Sequence, residues 1–321
     1  MIKTDKAQWT LLLNLHAGGG RGRRDIERIE KLLKQQGLVY ELVISEYPKH
    51  AILLAKKAVE KGCRHLMVAG GDGTLNEVVN GIFQQQACSS LEVVIGMIPV
   101  GTGNDWIKTF GISNNYEEAI HQIKEGNKLQ QDVGKLTYEE GGVTHSRFFT
   151  NMAGFGFDAL VTQKANQMKE KGRSGMLVYL WSLLTAFVHY QTRKMSVKMD
   201  GKEFSDLIFS VSVGIGKYNG GGMKQAPNAI PDNGIFEVTV IKKIGVWGIL
   251  TNLAGLYSGN YIRDFRVVCF QSEKVEIMSN NSLAGEVDGE SLGKSQFRIE
   301  ILPQKLKVIV GEMDTCKKAR I

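Results

Sequence analysis

The amino-acid sequence predicts an α/β domain followed by a strand-rich domain, and three observations support this prediction. The chain has 321 residues, which is longer than most single domains. Up to about residue 125, short apolar runs alternate with amphipathic helical patterns, as in a mostly parallel sheet covered by helices on both faces. The pattern changes near residues 129–134, and from there to residue 310 short β-rich runs separated by turn residues favour a sandwich or a barrel-like sheet.

The predicted first domain consists of strand–helix pairs. In each pair an apolar run is followed by apolar residues at helical spacing. The strands are predicted at residues 9–15, 39–45, 66–69 and 93–98, and the helices at residues 25–36, 51–60, 75–83 and 116–124.

The predicted second domain consists mainly of short strands with helical insertions. No repeat and no long linker separates it from the first domain, so a cleft between the domains is expected, where ligand sites tend to lie. The strands are predicted at 148–152, 195–199, 207–213, 236–241, 267–270, 275–278, 297–302 and 306–310, and the insertions at 157–169, 176–189 and 246–256.

Composition argues against several classes of protein. The 37 glycines follow no collagen-like period, so they are expected at turns and close backbone approaches. The four cysteines form no C-x-x-C pair, which argues against a disulfide framework or a zinc site and is typical of a reducing cytosol. No signal peptide is expected at the N-terminus, and the apolar stretch 175–190 falls short of the ~20 residues that a membrane span needs.

The positive charge does not choose among partners. A formal net charge of +7 suits a nucleotide, a nucleic acid or an anionic membrane surface. Part of this charge lies in short clusters, and a solvated face is the simplest interpretation of the cluster Arg21, Arg23 and Arg24.

The strongest local signal is the stretch Gly70-Gly71-Asp72-Gly73-Thr74, which follows a predicted strand and precedes a predicted helix. Adjacent glycines allow backbone N–H groups to turn toward one point, and the helix start adds a positive dipole there. The stretch therefore predicts a phosphate cradle with one carboxylate placed to meet a metal. A tight turn in which Asp72 serves as a capping residue is the alternative.

A second loop of the same kind follows the next strand. Gly101 and Gly103 offer bare backbone, and Thr102 offers a hydroxyl. Asp105 lies at a predicted helix start. Ligands of open α/β sheets bind at the carboxyl ends of the strands, so the two loops together are a stronger signal than either alone. Helix capping by Asn104 and Asp105 is the alternative.

Two other glycine-rich stretches fit known motifs poorly. The loop 14–22 lacks the Gly-Lys-Ser/Thr ending of a Walker A motif. The stretch 154–159 fits the G-x-G-x-x-G spacing of dinucleotide sites, but no acidic residue follows about 20 positions later. This stretch therefore predicts a packing turn between a strand and a helix.

Acidic residues cluster late in the second domain, at Glu286, Asp288 and Glu290. Asp288 and Glu290 are two positions apart, so on an extended strand their side chains would share one face. Carboxylates so close together favour a cation between them. An ordinary Asp-Gly hairpin turn at Asp288 and Gly289 is the alternative.

Four motifs, taken in order, resemble those of the soluble diacylglycerol kinase family, which also includes sphingosine, ceramide and bacterial phospholipid kinases. The motifs are GGDGTLNEVVNGI, PVGTGNDW, AGFGFDA and VDGE. The resemblance implies an α/β Rossmann-like N-terminal domain, an all-β sandwich C-terminal domain and an ATP cleft between them. It also implies that the end of the chain returns to the first domain, giving domains of 1–133 with 304–321 and of 134–303.

The same resemblance implies roles for individual residues. Asp288 would be the general base, and Asp72, Asp105 and Glu290 would hold a catalytic Mg²⁺ through water. One departure is Leu15, which stands where the family has proline in its first loop. The nucleotide would be bound by Asn14, Ala17, Gly18, Ser45, Gly70, Gly71, Asp72, Gly73, Thr74, Asn76, Gly101, Thr102 and Asn104.

A second departure concerns a structural magnesium that some bacterial members carry near a turn of the second domain. The corresponding ligands here would be Ile230, Asn233 and Ile235. An amide oxygen is a weaker ligand for magnesium than a carboxylate, so Asn233 puts this second site in doubt.

The function implied is an ATP-dependent lipid kinase that acts on a diacylglycerol-like lipid. The protein is expected in the cytoplasm, with peripheral contact to the inner face of the membrane. Its expected partner is a membrane lipid; no nucleic acid is expected, and a homodimer is left open. Two alternatives are a kinase for a soluble acceptor, as NAD kinase is, and a nucleotide-binding regulator without catalysis.

Overall fold

A computed structural model describes residues 9–170, 190, 192–280 and 283–313. It divides into two compact units. Unit one contains the described residues up to Gln130 together with those from Leu306 onwards, and unit two contains those from Gln131 to Lys305. The helix predicted at 176–189 lies outside the described residues.

Unit one is built of strands and helices that alternate along the chain. Its elements are β1 (Trp9–Asn14), α1 (Ala17–Gln35), β2 (Tyr40–Ser45), α2 (His50–Glu60), β3 (His65–Gly70), α3 (Asp72–Gln84), a 3-10 helix (Ser90–Glu92), β4 (Val94–Pro99), α4 (Asp105–Thr109) and α5 (Tyr116–Glu125). The strands are parallel, and β1 lies between β2 and β3 with β4 beyond β3.

Burial explains why these residues form a parallel sheet. Every residue of β4 is buried, and β3 is buried except at its first residue, as is typical of central strands covered on both faces. Helix α1 places Ile29 and Leu33 in the same core, and both are fully buried. The predicted α/β class of this part of the chain is confirmed.

The end of the described chain completes this sheet. Lys307 and Val308 pair in parallel with β4. Beyond them, the N–H of Gly311 donates to the carbonyl oxygen of Phe110 at 3.0 Å. A Cβ atom at Gly311 would lie only 1.9 Å from the carbonyl oxygen of Gly111, so the two backbones are in direct contact.

Unit two is rich in strands. Its elements are β5 (Lys128–Glu140), β6 (Val143–Phe149), β7 (Met152–Gly156), α6 (Phe157–Glu170), β8 (Arg193–Met199), β9 (Lys202–Gly214), β10 (Phe236–Lys242), α7 (Val246–Ser258), a 3-10 helix (Asn260–Arg263), β11 (Val267–Ser272), β12 (Lys274–Ser279), β13 (Leu283–Val287), β14 (Glu290–Ser295) and β15 (Phe297–Ile309), with β5 beginning and β15 ending in unit one.

The strands of unit two pair mainly in antiparallel fashion, and the long strand β9 has three partners. Its first half pairs with β8, and its second half pairs with both β7 and β10. The apolar side chains of these strands form one large core that includes Phe155, Phe236 and Phe297. The strand-rich prediction is confirmed.

Two strand predictions in unit two are wrong in detail. The strand predicted at 148–152 is broken at Thr150 and Asn151, whose N–H groups donate to a side chain instead of a neighbouring strand. The two strands predicted at 297–302 and 306–310 form the single strand β15. This strand passes through Pro303 and a left-handed residue, Gln304, whose φ is 51°.

No helix in the described part of the chain has both the length and the apolar character needed to cross a bilayer.

Candidate active site

Polar side chains lie at the carboxyl ends of the first three strands of unit one. Asn14 and Ser45 are register partners at the ends of β1 and β2, and Ser45 is buried. The Nδ2 atom of Asn14 donates to Oγ1 of Thr74, just beyond β3, at 2.9 Å. In an open α/β sheet, ligands bind at the carboxyl ends of the strands, at the point where the strand order reverses. In the order β2-β1-β3-β4, this point lies between β1 and β3.

The first loop, which follows β1, is held against the loop after β4. Gly18, Gly19 and Gly20 are all in the left-handed region. A Cβ at Gly18 would lie 2.2 Å from the carbonyl oxygen of Val100, so no larger residue fits there. The guanidinium of Arg21 donates to the carbonyl oxygen of Gly101. The interpretation of the basic cluster as a solvated face is therefore wrong for Arg21.

Asp72 joins the two predicted phosphate-binding loops. Its carboxylate accepts hydrogen bonds from the N–H groups of Asp105, at 3.0 Å, and Trp106, at 3.1 Å. These are the first two residues of α4, so Asp72 caps the helix of the other loop. The two glycine-rich stretches are thus brought together, as the sequence predicts for loops at the ends of neighbouring strands.

Two carboxylates in unit one fit a water-bridged magnesium ion. The Oδ2 atoms of Asp72 and Asp105 each lie 3.7 Å from the position that a Cβ at Gly103 would occupy. The other oxygen of Asp105 pairs with the ammonium of Lys108 at 2.6 Å. Magnesium keeps several waters and needs only one or two carboxylates. Over residues 9–170, 190, 192–280 and 283–313, no group of three acidic, histidine or cysteine side chains could hold a metal ion directly.

Bare backbone and one buried acceptor lie between the same two loops. A Cβ at Gly101 would lie 2.5 Å from the Cα of Gly71, so only glycine allows this approach. Asn104 has a φ of 48°, and its Nδ2 donates to the carbonyl oxygen of Gly101 and to Oδ1 of Asn114. Its own Oδ1 is buried and accepts no hydrogen bond from the described residues. These features fit a nucleotide, which brings both anionic phosphates and donor groups.

The other predicted nucleotide-binding residues differ in their exposure. Thr102 is exposed, and Gly73 is half-buried. Asn76 is buried in α3, where the side chain of Asn80 donates to its Oδ1 at 3.1 Å. One residue of this motif was not predicted: the carboxylate of Glu77 accepts the N–H groups of Lys49 and Ala51 and so caps α2.

Asp288 lies in a two-residue hairpin turn between β13 and β14, with φ values of 46° for Asp288 and 81° for Gly289. The expected extended strand through Asp288 and Glu290 is therefore wrong. The Asp-Gly turn forms because both central residues of such a hairpin need positive φ. Val287 and Glu290 pair directly across the turn.

The carboxylate of Asp288 is buried and accepts four hydrogen bonds. Its Oδ2 accepts from the N–H of Thr150 at 2.9 Å and from that residue's hydroxyl at 3.4 Å. Its Oδ1 accepts from the N–H groups of Asn151, at 3.0 Å, and Met152, at 2.9 Å. These donors explain the break between β6 and β7, because Thr150 and Asn151 turn toward Asp288.

Two further acids lie beside Gly154: Glu286 is buried, and Asp158 is half-buried. A Cβ at Gly154 would lie 2.6 Å from Oε1 of Glu286 and 3.0 Å from the Cβ of Asp158. Glu286 accepts the N–H of Gly289 at 2.9 Å and so holds the turn. Burial raises the pKa of Glu286 to about 8, and burial raises the pKa of Asp158 to about 7 despite a hydrogen bond from Ser212.

These two acids predict that the free energy of unfolding falls as pH rises. Between their ordinary pKa values of 4.5 and 3.8 and the raised values, the folded state binds more protons than the unfolded state. The stability contributed by these two acids should be fully present below about pH 4 and should be lost as pH rises to about 8. Urea titrations across this range should give a free energy of unfolding that depends less on pH for the double variant Asp158→Asn, Glu286→Gln than for the wild type. The exposed-site control Glu139→Gln should keep the wild-type slope; an unchanged slope in the double variant would contradict the prediction.

The turn proposed for a structural magnesium is held by Asp132, which the sequence did not reveal. One oxygen of Asp132 accepts the N–H of Gly234, and the other accepts the N–H of Gln304, both at 2.7 Å. Oδ1 of Asn233 accepts the N–H of Ile235 at 3.1 Å. The side-chain oxygen of Asn233 is therefore already engaged in the hydrogen bonding of the turn itself.

Removal of magnesium is therefore expected to leave this turn intact. Adding EDTA to the protein should not change its melting temperature. Asp132→Ala should lower the free energy of unfolding by about 1–3 kcal/mol for each N–H left without an acceptor. The control Asp232→Ala removes a neighbouring carboxylate whose side chain is not used in these bonds and should have a small effect. A melting temperature that falls with EDTA and recovers with Mg²⁺, both in the wild type and in Asp72→Asn protein, would show that the turn holds an ion.

Comparison with known proteins agrees with this arrangement. Residues 8–136 match the model of the diacylglycerol kinase catalytic domain, and residues 151–310 match that of the YegS C-terminal NAD kinase beta sandwich-like domain. A diacylglycerol kinase of Staphylococcus carnosus is 26% identical over 93% of this chain and 93% of its own. YtlR of Bacillus subtilis strain 168, whose name describes a lipid kinase, is 27% identical over 94% of this chain and 99% of its own.

The fold itself is also found among solved structures. The crystal structure of a diacylglycerol kinase from Bacillus anthracis has a TM-score of 0.70 and 21% identity, and it covers 96% of this chain and 98% of its own. The chain belongs to the lipid kinase family that includes the diacylglycerol kinases. It is therefore a kinase with a β-sandwich-like second domain, and membership of this family implies use of ATP.

Proposed function

We propose that this chain transfers the γ-phosphate of ATP to the hydroxyl of a diacylglycerol-like membrane lipid. The observation that carries the proposal is an apolar cavity within unit two. Its walls include Phe157, Val161, Phe209, Ile241 and Ile244. Apolar walls with a few placed polar groups are the usual form of a site for an apolar ligand.

The polar lining of the cavity suits an uncharged head group. The hydroxyl of Ser212 donates to the carboxyl of Asp158 at 3.0 Å. Both residues line the cavity together with Gln225. Because burial raises the pKa of Asp158 to about 7, this acid can carry a proton and donate to an ester or hydroxyl oxygen. The cavity measures about 70 Å³, so it admits part of an acyl chain and the rest would extend through its mouth.

The loops of unit one would bind the nucleotide. N–H groups near Gly71 and Gly101 would face the phosphates, and Asp72 and Asp105 would hold magnesium through water. Magnesium, when bound, neutralises charge on the phosphates during transfer. Asp72 also accepts hydrogen bonds from the start of α4, so one carboxylate would both position the loop after β4 and bind the metal through water.

Asp288 remains the proposed acceptor of the hydroxyl proton, with Glu290 serving the metal. Four donors orient its carboxylate. To take a proton, one oxygen would have to release a donor, and the hydroxyl of Thr150 makes the longest of these bonds at 3.4 Å. A proton acceptor must lie within hydrogen-bond reach of the substrate hydroxyl when the substrate is bound.

The test is phosphorylation of a panel of acceptors by purified protein with labelled ATP. Diacylglycerol, sphingosine, ceramide and a bacterial phospholipid would represent lipids, and NAD a soluble acceptor. We expect labelled product from a neutral glycerolipid. Transfer to NAD alone would favour the soluble-acceptor alternative, and ATP binding without transfer to any acceptor would favour a non-catalytic regulator.

A further inference from the structure

The turn that follows the 3-10 helix Asn260–Arg263 carries an exposed aromatic side chain. The N–H of Val267 donates to the carbonyl oxygen of Asp264 at 2.9 Å, which places Phe265 and Arg266 at the two central positions of the turn. The exposed fraction of Phe265 is 84%, higher than that of any other large apolar residue described as exposed. The guanidinium of Arg266 lies 5.2 Å from the centre of its ring.

Basic and apolar residues of two neighbouring segments continue this surface. The N–H of Lys242 donates to the carbonyl oxygen of Arg266 at 2.9 Å, and that of Lys243 donates to the carbonyl oxygen of Leu207 at 2.8 Å. Leu207 is itself 44% exposed. We call these residues the Phe265 surface: Leu207, Lys242, Lys243, Phe265 and Arg266.

The Phe265 surface surrounds one side of the apolar cavity. Ile241 and Ile244, which flank the two lysines in sequence, line the cavity. Asp264 and Val267, which flank Phe265 and Arg266, line it as well. The segments that form this part of the cavity wall therefore also carry the residues of the Phe265 surface.

The charge of this region is positive. In the segments around Phe265, four basic residues outnumber two acids, Asp206 and Asp264; the basic residues are Lys242, Lys243, Arg263 and Arg266. Asp264 is bound to Arg266 through two hydrogen bonds of 2.8 and 2.5 Å, which hold its pKa well below the usual range. Lys243 is exposed, whereas the ammonium of Lys242 lies 5.7 Å from the centre of the Phe204 ring. Basic residues around an exposed aromatic ring suit an anionic lipid surface, since aromatic rings favour the boundary between head groups and acyl chains.

We infer that the Phe265 surface docks on an anionic membrane leaflet and places the mouth of the cavity against it. The inference rests on the proposed lipid substrate, which has to pass from the bilayer into the cavity. Docking here would let an acyl chain enter without crossing water. The rest of the chain's positive charge would add attraction, which salt should screen.

Sedimentation with vesicles of phosphatidylcholine containing phosphatidylserine tests this inference on the full chain. We expect binding to rise with the anionic fraction and to fall with salt. Phe265→Ala should weaken binding by about tenfold or more, because the variant lacks the apolar ring that moves from water into the bilayer on binding. Phe265→Trp, which keeps an aromatic ring, should retain vesicle binding. The control Val143→Ala changes a residue on β6 with 57% exposure and should have little effect. Lys243→Glu should weaken binding more than Lys202→Glu, which lies at the far end of β9.

Kinase activity toward a short-chain, water-dispersed diacylglycerol separates this inference from the proposed function. We expect Phe265→Ala to keep wild-type activity on that substrate while losing vesicle binding. Wild-type protein that does not bind anionic vesicles, or Phe265→Ala protein that binds as wild type does, overturns the docking surface. If the wild type phosphorylates no diacylglycerol yet Phe265→Ala loses vesicle binding, the surface stands and the proposed substrate is wrong.

Discussion

Asp288→Asn is expected to lower kcat for lipid phosphorylation by roughly 10²–10⁴-fold, because an amide cannot take the proton of the acceptor hydroxyl. Nucleotide affinity should change little. The structure adds a second expected effect. An asparagine at this position would turn its NH₂ toward two of the four donors that now bind the carboxylate. The free energy of unfolding should therefore fall by about 1–3 kcal/mol.

Measuring both quantities separates the two roles of Asp288. Steady-state kinetics should be run at a temperature where circular dichroism finds the variant folded. Asp232→Asn, at another carboxylate in a turn of unit two, is a matched control and should keep both activity and stability. Near-normal lipid phosphorylation by a destabilised Asp288→Asn protein would mean that Asp288 serves only the turn and the junction of β6 with β7.

Asp72→Asn is expected to raise the magnesium concentration for half-maximal activity by about 10–100-fold, the usual effect of disturbing groups around a metal. Two causes act together. The variant loses a negative charge near the proposed ion, and its NH₂ replaces one of the two oxygens that accept the N–H groups of Asp105 and Trp106. The second loop should therefore be less well positioned.

The matched control for Asp72 is Asp25→Asn in the same unit, where the carboxylate accepts a hydrogen bond from the hydroxyl of Tyr116 and belongs to neither loop. Magnesium titrations of ATP-dependent lipid phosphorylation should shift for Asp72→Asn and stay near wild type for Asp25→Asn. Equal magnesium dependence of the wild type and Asp72→Asn would remove Asp72 from the proposed metal site.

The architecture of unit one could be predicted from sequence because its signals are local. An apolar run such as β4 is long enough to mark a buried strand, and Gly101 directly after it marks a close backbone approach. The meeting of the two glycine loops follows from the rule that parallel strands end at one edge. These inferences need only residues that lie near one another in the chain.

The supporting contacts could not be predicted because they join distant residues. Asp132 and Gly234 are separated by 102 positions, and Asp288 and Thr150 by 138. In each case a carboxylate accepts backbone N–H groups, which every residue except proline has, so no sequence pattern marks the partner. Arg21 was misjudged for the same reason, since its acceptor is a backbone oxygen 80 positions away. The prediction of Asp288 on an extended strand failed because Asp288 and Gly289 adopt the positive φ values of a two-residue turn, which was the alternative that the Asp-Gly pair offered.

During synthesis on the ribosome, the last strand segment of unit one is made after all of unit two. The partner of β4 is the segment around Lys307 and Val308, which is made only after the whole of Gln131–Lys305. At typical rates of ~5–20 residues per second, β4 would wait roughly 10–40 s for it. Over that interval one edge of the nascent sheet would lack this neighbour, and an open strand edge readily pairs with other chains. We expect nascent chains stalled before residue 306 to need chaperone protection that released full-length chains do not.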